Sequence, residues 1–202
     1  MTAVPKKKYT LAEYFELDRE AEGNFEYHHG EIIEMSGVSP NHARVERNLM
    51  VKLSPRAFEK GCEVFPANLR VKVPDAPTYR YPDLTAACGG AKFVEIGGLQ
   101  CLENPMLIVE VLSESTESYD QGEKFRLYKS IESFCEYLLI SQDTPNITLY
   151  QKHNERFWLR SDYTTGETLQ ITTLDFELLV DEVYQGVELK PKKHYEEEHE
   201  IR

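Results

Sequence analysis

The segment PMLIVEVLS constrains this chain more than any other, because residues 106–112 form an apolar run broken by one carboxylate, Glu110. Apolar side chains in both alternating registers of so short a stretch fit a strand covered on its two faces, at the centre of a sheet. A carboxylate in that place requires a partner, since an isolated buried charge is strongly unfavourable unless it is paired, protonated or coordinated to a cation. The next segment, SESTESYDQGEKFRLYKSI, opens with turn-forming residues and becomes helical around 121–129. FCEYLLI at 134–140 reads as a second strand. A strand, crossover helix and strand across 107–140 favour parallel pairing.

The rest of the chain supplies shorter elements. YTLAEYFELDR at 9–19 has a helical period, with Thr10 as N-cap and Glu13 three residues later. NFEYHHGEIIEMSG reads as a hairpin about His29 and Gly30, and 41–60 as a second helix interrupted or ended near Pro55. CEVFPANLRVKVP is expected as a strand whose Pro66 implies an edge or bulge, followed by a strand from Leu84 to Cys88. GGAKFVEIGGLQ is a loop or short hairpin, and ITLYQKHNERFWLRSDY a hairpin turning near 153–155. LDFELLVDEVY fits a short strand or a terminal helix. No repeat or linker divides the 202 residues, which are expected to form one domain with an acidic tail from about 190.

With 41% apolar and 29% charged residues, the composition is that of a globular protein, and no apolar run approaches the roughly 18 residues of a membrane span. The N-terminus, MTAVPKKKYT, leads into LAEYFELDRE rather than an apolar stretch, so no signal peptide and a cytoplasmic location are expected. Cys62, Cys88, Cys101 and Cys135 include no CxxC pair and are expected as buried free thiols. The net charge of −12 weighs against nucleic-acid binding, which rests on Lys and Arg neutralising phosphate. Its distribution softens that objection: residues 1–82 carry equal numbers of basic and acidic side chains, so the whole excess lies in 83–202.

Asp83, after YRYP, places a second carboxylate beside a core strand. If its strand neighbours that of Glu110, the two acids come within reach of one divalent cation, and oxygen donors suit Mg²⁺ or Mn²⁺. Lys124 could then stabilise a pentavalent phosphate and, with a lowered pKa, assist proton transfer. The plainer alternatives are a turn cap for Asp83, an ion pair for Glu110 and an exposed helical position for Lys124. Glu26 and His42 are candidates for the periphery of the site or a phosphate contact. Asp120 reads as a helix cap, and Tyr128 as a core or catalytic residue. Nucleotide-binding glycine loops, zinc-protease and serine-hydrolase motifs are absent, and the Gly89-Gly90 and Gly97-Gly98 pairs lack a phosphate-loop context.

FEYHHGEIIEMSG, His42, YRYPDLTAAC and the run PMLIVEVLSESTESYDQGEKFRLYKSIESFCEYLLI together resemble a restriction endonuclease family of cyanobacterial type, within the PD-(D/E)XK phosphodiesterase superfamily. The resemblance spans most of the chain. It implies an α/β, restriction-endonuclease-like core with a mixed central sheet flanked by helices, metal ligation by Asp83 and Glu110, and divalent-metal-dependent hydrolysis of phosphodiesters, for which the oxygen donors make Mg²⁺, or else Mn²⁺, the expected cofactor. One position departs from the superfamily pattern: two residues after Glu110 stands Leu112 rather than lysine. The resemblance assigns the amine to Lys124 and keeps Glu26 and His42 in the catalytic set. DNA is the expected partner, steered by a basic strip of Lys6 to Lys8, Arg44, Arg47, Lys52, Arg56, Arg70, Lys72 and Arg80. A homodimer would place two cuts symmetrically. The alternatives are a non-catalytic binding descendant of the fold and an RNA-directed nuclease.

Overall fold

A computed structural model describes residues 7–21, 25–34, 37–74, 78–113 and 117–190. In chain order the first half holds α1 (Leu11–Glu20), β1 (Phe25–His28), β2 (Glu31–Glu34), α2 (Pro40–Glu59), β3 (Cys62–Pro66), β4 (Arg70–Val73), β5 (Thr78–Arg80), β6 (Leu84–Cys88), β7 (Phe93–Ile96) and β8 (Leu99–Leu102). Then come β9 (Leu107–Leu112), α3 (Glu117–Tyr119), a π-helical turn (Asp120–Lys124), α4 (Phe125–Tyr128) and β10 (Glu136–Ser141). The chain closes with β11 (Asn146–Lys152), β12 (Trp158–Thr164), β13 (Thr168–Ile171), β14 (Phe176–Leu179) and α5 (Val180–Val183).

Every residue of β9 is buried, as its apolar run requires. β10 pairs with it in parallel and β6 antiparallel, in a mixed sheet of order β12-β11-β10-β9-β6-β3. Alternation along β9 sends Leu107, Val109 and Val111 into a core that includes Val45, Leu49 and Leu53 of α2. Ile108 and Leu112 enter a second core with Phe125, Tyr128, Phe134 and Tyr137. Glu110 shares the parity of Ile108 and Leu112, so it projects toward the crossover segment. A second mixed sheet, β2-β1-β5-β4-β8-β7, carries the β1–β2 hairpin and packs against α1 through Tyr14, Tyr27 and Tyr79.

The expected caps of α1 are present: the Thr10 hydroxyl accepts from the Glu13 N–H, and the Glu13 carboxylate accepts from the Thr10 N–H at 2.7 Å. Gly97 and Gly98 form the turn of the β7–β8 hairpin at φ of 64° and 80°. A Cβ on Gly97 would lie 2.3 Å from the Phe15 ring, so α1 docks closely on this turn.

Several expectations change. α2 runs through Pro55 to Glu59, because Pro55 is exposed, and the carbonyl left without its helical donor lies at exposed Val51, where water can serve it. Pro55→Ala is therefore expected to raise stability by about 1–3 kcal/mol, read from chemical denaturation. CEVFPANLRVKVP forms two strands in different sheets, with Pro66 closing the edge strand β3. Cys62 and Cys88 are not free thiols: antiparallel register sets them opposite each other across β3 and β6, where they form a disulfide. Cys101 and Cys135 are free. LDFELLVDEVY supplies both alternatives, β14 and then α5. The acidic residues from 191 onward and Lys6 lie outside the described residues. Among the described residues, no helix is long and apolar enough to cross a membrane.

Candidate active site

Asp83 stands at the entry to β6, after Pro82. Extending the β6–β9 register of Leu84 with Val109 by one residue sets Asp83 opposite Glu110. The Asp83 carboxylate is tied to both neighbouring elements. Its Oδ2 accepts the Val111 N–H of β9 at 2.5 Å, and its Oδ1 meets His42 Nε2 of α2 at 3.1 Å. His42 is placed by the start of its helix: the Ser39 side chain caps α2 by accepting the His42 N–H, and the imidazole projects inward beside Val45 and Leu49.

The crossover supplies the cation. Lys124 Nζ lies 2.8 Å from Glu110 Oε1, 3.4 Å from Asp120 Oδ1 and 3.6 Å from Glu26 Oε1. The π-helical turn from Asp120 to Lys124 turns both of these side chains inward, and local π geometry is frequent at functional sites. Tyr128, one turn beyond, donates its hydroxyl to Glu110 Oε1 at 2.8 Å. Glu26, on β1, is held from behind by Arg80, whose Nη1 donates to Oε2 at 3.0 Å, and by the Tyr81 N–H at 3.3 Å. Glu26, His42, Asp83, Glu110 and Lys124 line one cleft of about 380 Å³, together with Asp120 and Tyr81.

Burial alone would push the Lys124 ammonium down, but Glu110, Glu26 and Asp120 outweigh it and hold the group well above the ordinary lysine value. The lowered pKa expected for proton transfer is not what these contacts favour: the three carboxyl groups around Nζ stabilise its protonated form. Glu110 is pushed up by burial and by the neighbouring carboxylates Asp120, Asp83 and Glu26, against the pull of Lys124.

Residues 11–181 match the family Uma2, described as "Putative restriction endonuclease". The chain belongs to this family. Two uncharacterized proteins of Synechocystis sp. are similar to it: slr1290, 30% identical over 92% of this chain and 96% of its own length, and sll1609, 34% identical over 85% and 96%. A putative nuclease belonging to DUF820 from Anabaena variabilis has a similar structure, with a TM-score of 0.64 over 82% of this chain and 92% of its own, at 15% identity. That likeness shows a shared mixed α/β fold. Membership of Uma2 and this fold agree with the family and fold class expected from the sequence.

Within this Uma2 chain, the donor atoms of His42, Glu46 and Asp83 lie within 4.8 Å of one another, an arrangement that can hold a metal ion. Glu46 was not anticipated, although its spacing of four residues from His42 on a helix places both on one face. Glu110 stands outside that triad, with Oε1 engaged by Lys124 and Tyr128. Burial lowers the His42 pKa, but the contacts with Asp83 and Glu46 outweigh it and raise it from 6.5 to about 9. Because the folded-state value is raised, the imidazolium contributes stability that is fully present below pH about 6.5 and lost as pH rises through about 9. At most this is about 3 kcal/mol. Melting of the chelator-treated protein at pH 6 and pH 9.5 checks it, and His42→Gln should remove that part of the pH dependence.

Other expectations are corrected. Asp120 is no cap: it lies inside the π-helical turn, buried, against Lys124. Most of the basic strip is already engaged within the protein. Arg70 and Arg80 are among the most deeply buried side chains, with Arg70 bonded to Asp18 at 3.2 Å. Lys7, Arg44, Lys52, Arg56 and Lys72 each pair with a carboxylate. Arg47 bonds to Asn48 Oδ1 and lines a groove adjoining Asp83.

Proposed function

We propose that the chain is a divalent-cation-dependent endonuclease that hydrolyses DNA phosphodiester bonds, as one restriction-endonuclease-like domain working as a homodimer. The observation that carries this reading is the convergence of Glu26, His42, Asp83, Glu110 and Lys124 on one cleft. His42, Glu46 and Asp83 would hold the cation, with Glu110 beside Asp83 across the β6–β9 register. The carboxylates suit Mg²⁺ or Mn²⁺, and the one imidazole favours Mn²⁺ over Mg²⁺. When bound, the cation supplies Lewis acidity toward a phosphoryl oxygen and offsets repulsion between this acidic cleft and the substrate.

The protein's own groups do the remainder. Lys124, kept charged by its carboxylate neighbours, offers a preorganised ammonium to the negative charge that develops on phosphorus oxygens. Glu110 and Asp120 orient that ammonium, and Tyr128 fixes Glu110. Glu26 completes the ring of acids around Lys124, and Arg80 balances its charge. Arg47, on the rim of the adjoining groove, is placed for a flanking phosphate.

Cleavage of supercoiled and linear DNA with Mg²⁺ or Mn²⁺ tests the proposal. Wild type should cut, and chelation, Asp83→Ala, Glu110→Ala and Lys124→Ala should each suppress cutting. Metal-independent cutting, or equal cutting by all variants, rejects the mechanism.

A further inference from the structure

We propose that β12 is a pairing edge for a second copy of this chain, joined antiparallel about a two-fold axis at Ser161. β12 is the outer strand of the first sheet and pairs only with β11 among the described strands. Its seven residues pair with β11 in unbroken register, without a bulge, proline or glycine. Edge strands are usually blunted by shortness, proline or bulges. The other edges follow that rule: β2 and β7 have four residues each, and β3 ends in Pro66.

The backbone phase of β12 suits this pairing. The His153 N–H donates to the Phe157 carbonyl at 2.9 Å, whereas the Lys152 N–H turns away toward the Cys135 carbonyl of the β10 side at 2.8 Å. Antiparallel ladders alternate, so the N–H and C=O groups of Arg160 and Asp162 point outward from β11. A two-fold axis at Ser161 brings Arg160 opposite Asp162 of the partner subunit, so that outward groups meet outward groups.

The side chains identify the occupant as a copy of the same chain. The order Arg160, Ser161, Asp162 is self-complementary when read antiparallel, and each arginine meets an aspartate across the axis. Both side chains are about half exposed, and Arg160 Nη2 reaches Asp162 Oδ1 of its own strand at 3.0 Å, so the paired edge would carry a ladder of alternating charges. On the opposite face Leu159, 57% exposed, would cover Tyr163 of the partner subunit. An unrelated extended peptide would match the backbone but not this symmetric order.

Sedimentation equilibrium of the full chain should show a reversible monomer–dimer equilibrium. Arg160→Glu should weaken the dimer by roughly tenfold or more, because two attractive pairs become repulsive. Combining Arg160→Asp with Asp162→Arg in one chain should restore it, since every rung is again opposite in charge. Ser161→Cys should give a covalent dimer on mild oxidation, whereas Leu159→Cys and the parent chain should not, because only position 161 faces itself across the axis. Circular dichroism and melting establish that each variant is folded. A monomer at all concentrations, a dimer indifferent to charge reversal, or equal cross-linking from positions 159 and 161 overturns the proposal.

Discussion

Asp83→Asn is expected to lower the rate of metal-dependent DNA cleavage by about 10²–10³-fold while leaving the fold intact. The substitution keeps the size of the side chain, and its amide oxygen can still accept the Val111 N–H that Asp83 Oδ2 accepts at 2.5 Å. What disappears is the negative charge facing His42 and Glu46 in the only cluster of metal-capable donors found among the described residues. Titration calorimetry with Mn²⁺ should show weaker binding in parallel with the lost rate. A variant that cuts at the wild-type rate, or binds Mn²⁺ equally well, places the chemistry elsewhere.

Arg80→Met should cost about 3–5 kcal/mol of stability, a fall in melting temperature of about 6–20 °C for a chain of this length. Arg80 is fully buried, donates to Glu26 Oε2 at 3.0 Å and contacts the Tyr119 hydroxyl. Without it, Glu26 is a buried carboxylate left to share Lys124 with Glu110 and Asp120. If the loss comes from that uncompensated charge, adding Glu26→Gln should recover much of the stability. A double variant no more stable than Arg80→Met would instead assign the loss to packing of the arginine stem. The thermal melts of the four proteins form a double-mutant cycle that separates the two.

The parts of this molecule most readable in its sequence are those where apolar patterning is unambiguous. The run around Glu110 reads as a buried central strand, and the parallel partner, the Leu84–Cys88 strand and the hairpin at His29–Gly30 all follow from period and turn chemistry. Asp83, Glu110, Lys124, Glu26 and His42, the residues singled out in the sequence, line one cleft, and their roles there belong to the proposal above. Other features depend on which way a long side chain turns, and composition does not encode that. Arg70 and Arg80 look like surface cations in sequence, yet each is buried against an acid that lies more than fifty residues away. Asp120 resembles a cap until the π-helical turn rotates it inward. The Cys62–Cys88 pairing required the register between two strands, a long-range fact that cysteine spacing does not contain.

The position of Lys124 also bears on how such proteins are compared. Two residues after Glu110 the chain carries Leu112, which packs into the aromatic core, while the ammonium that touches Glu110 arrives from the crossover. A one-dimensional signature that demands lysine two places after the acid would score this chain as having lost a residue. A spatial template, defined only by a nitrogen about 3 Å from a strand carboxylate, would score the same chain as complete. Chains that differ by such a transposition would be neighbours in charge geometry and strangers in alignment columns, so a comparison by motif alone would pass over the ammonium that meets Glu110 here.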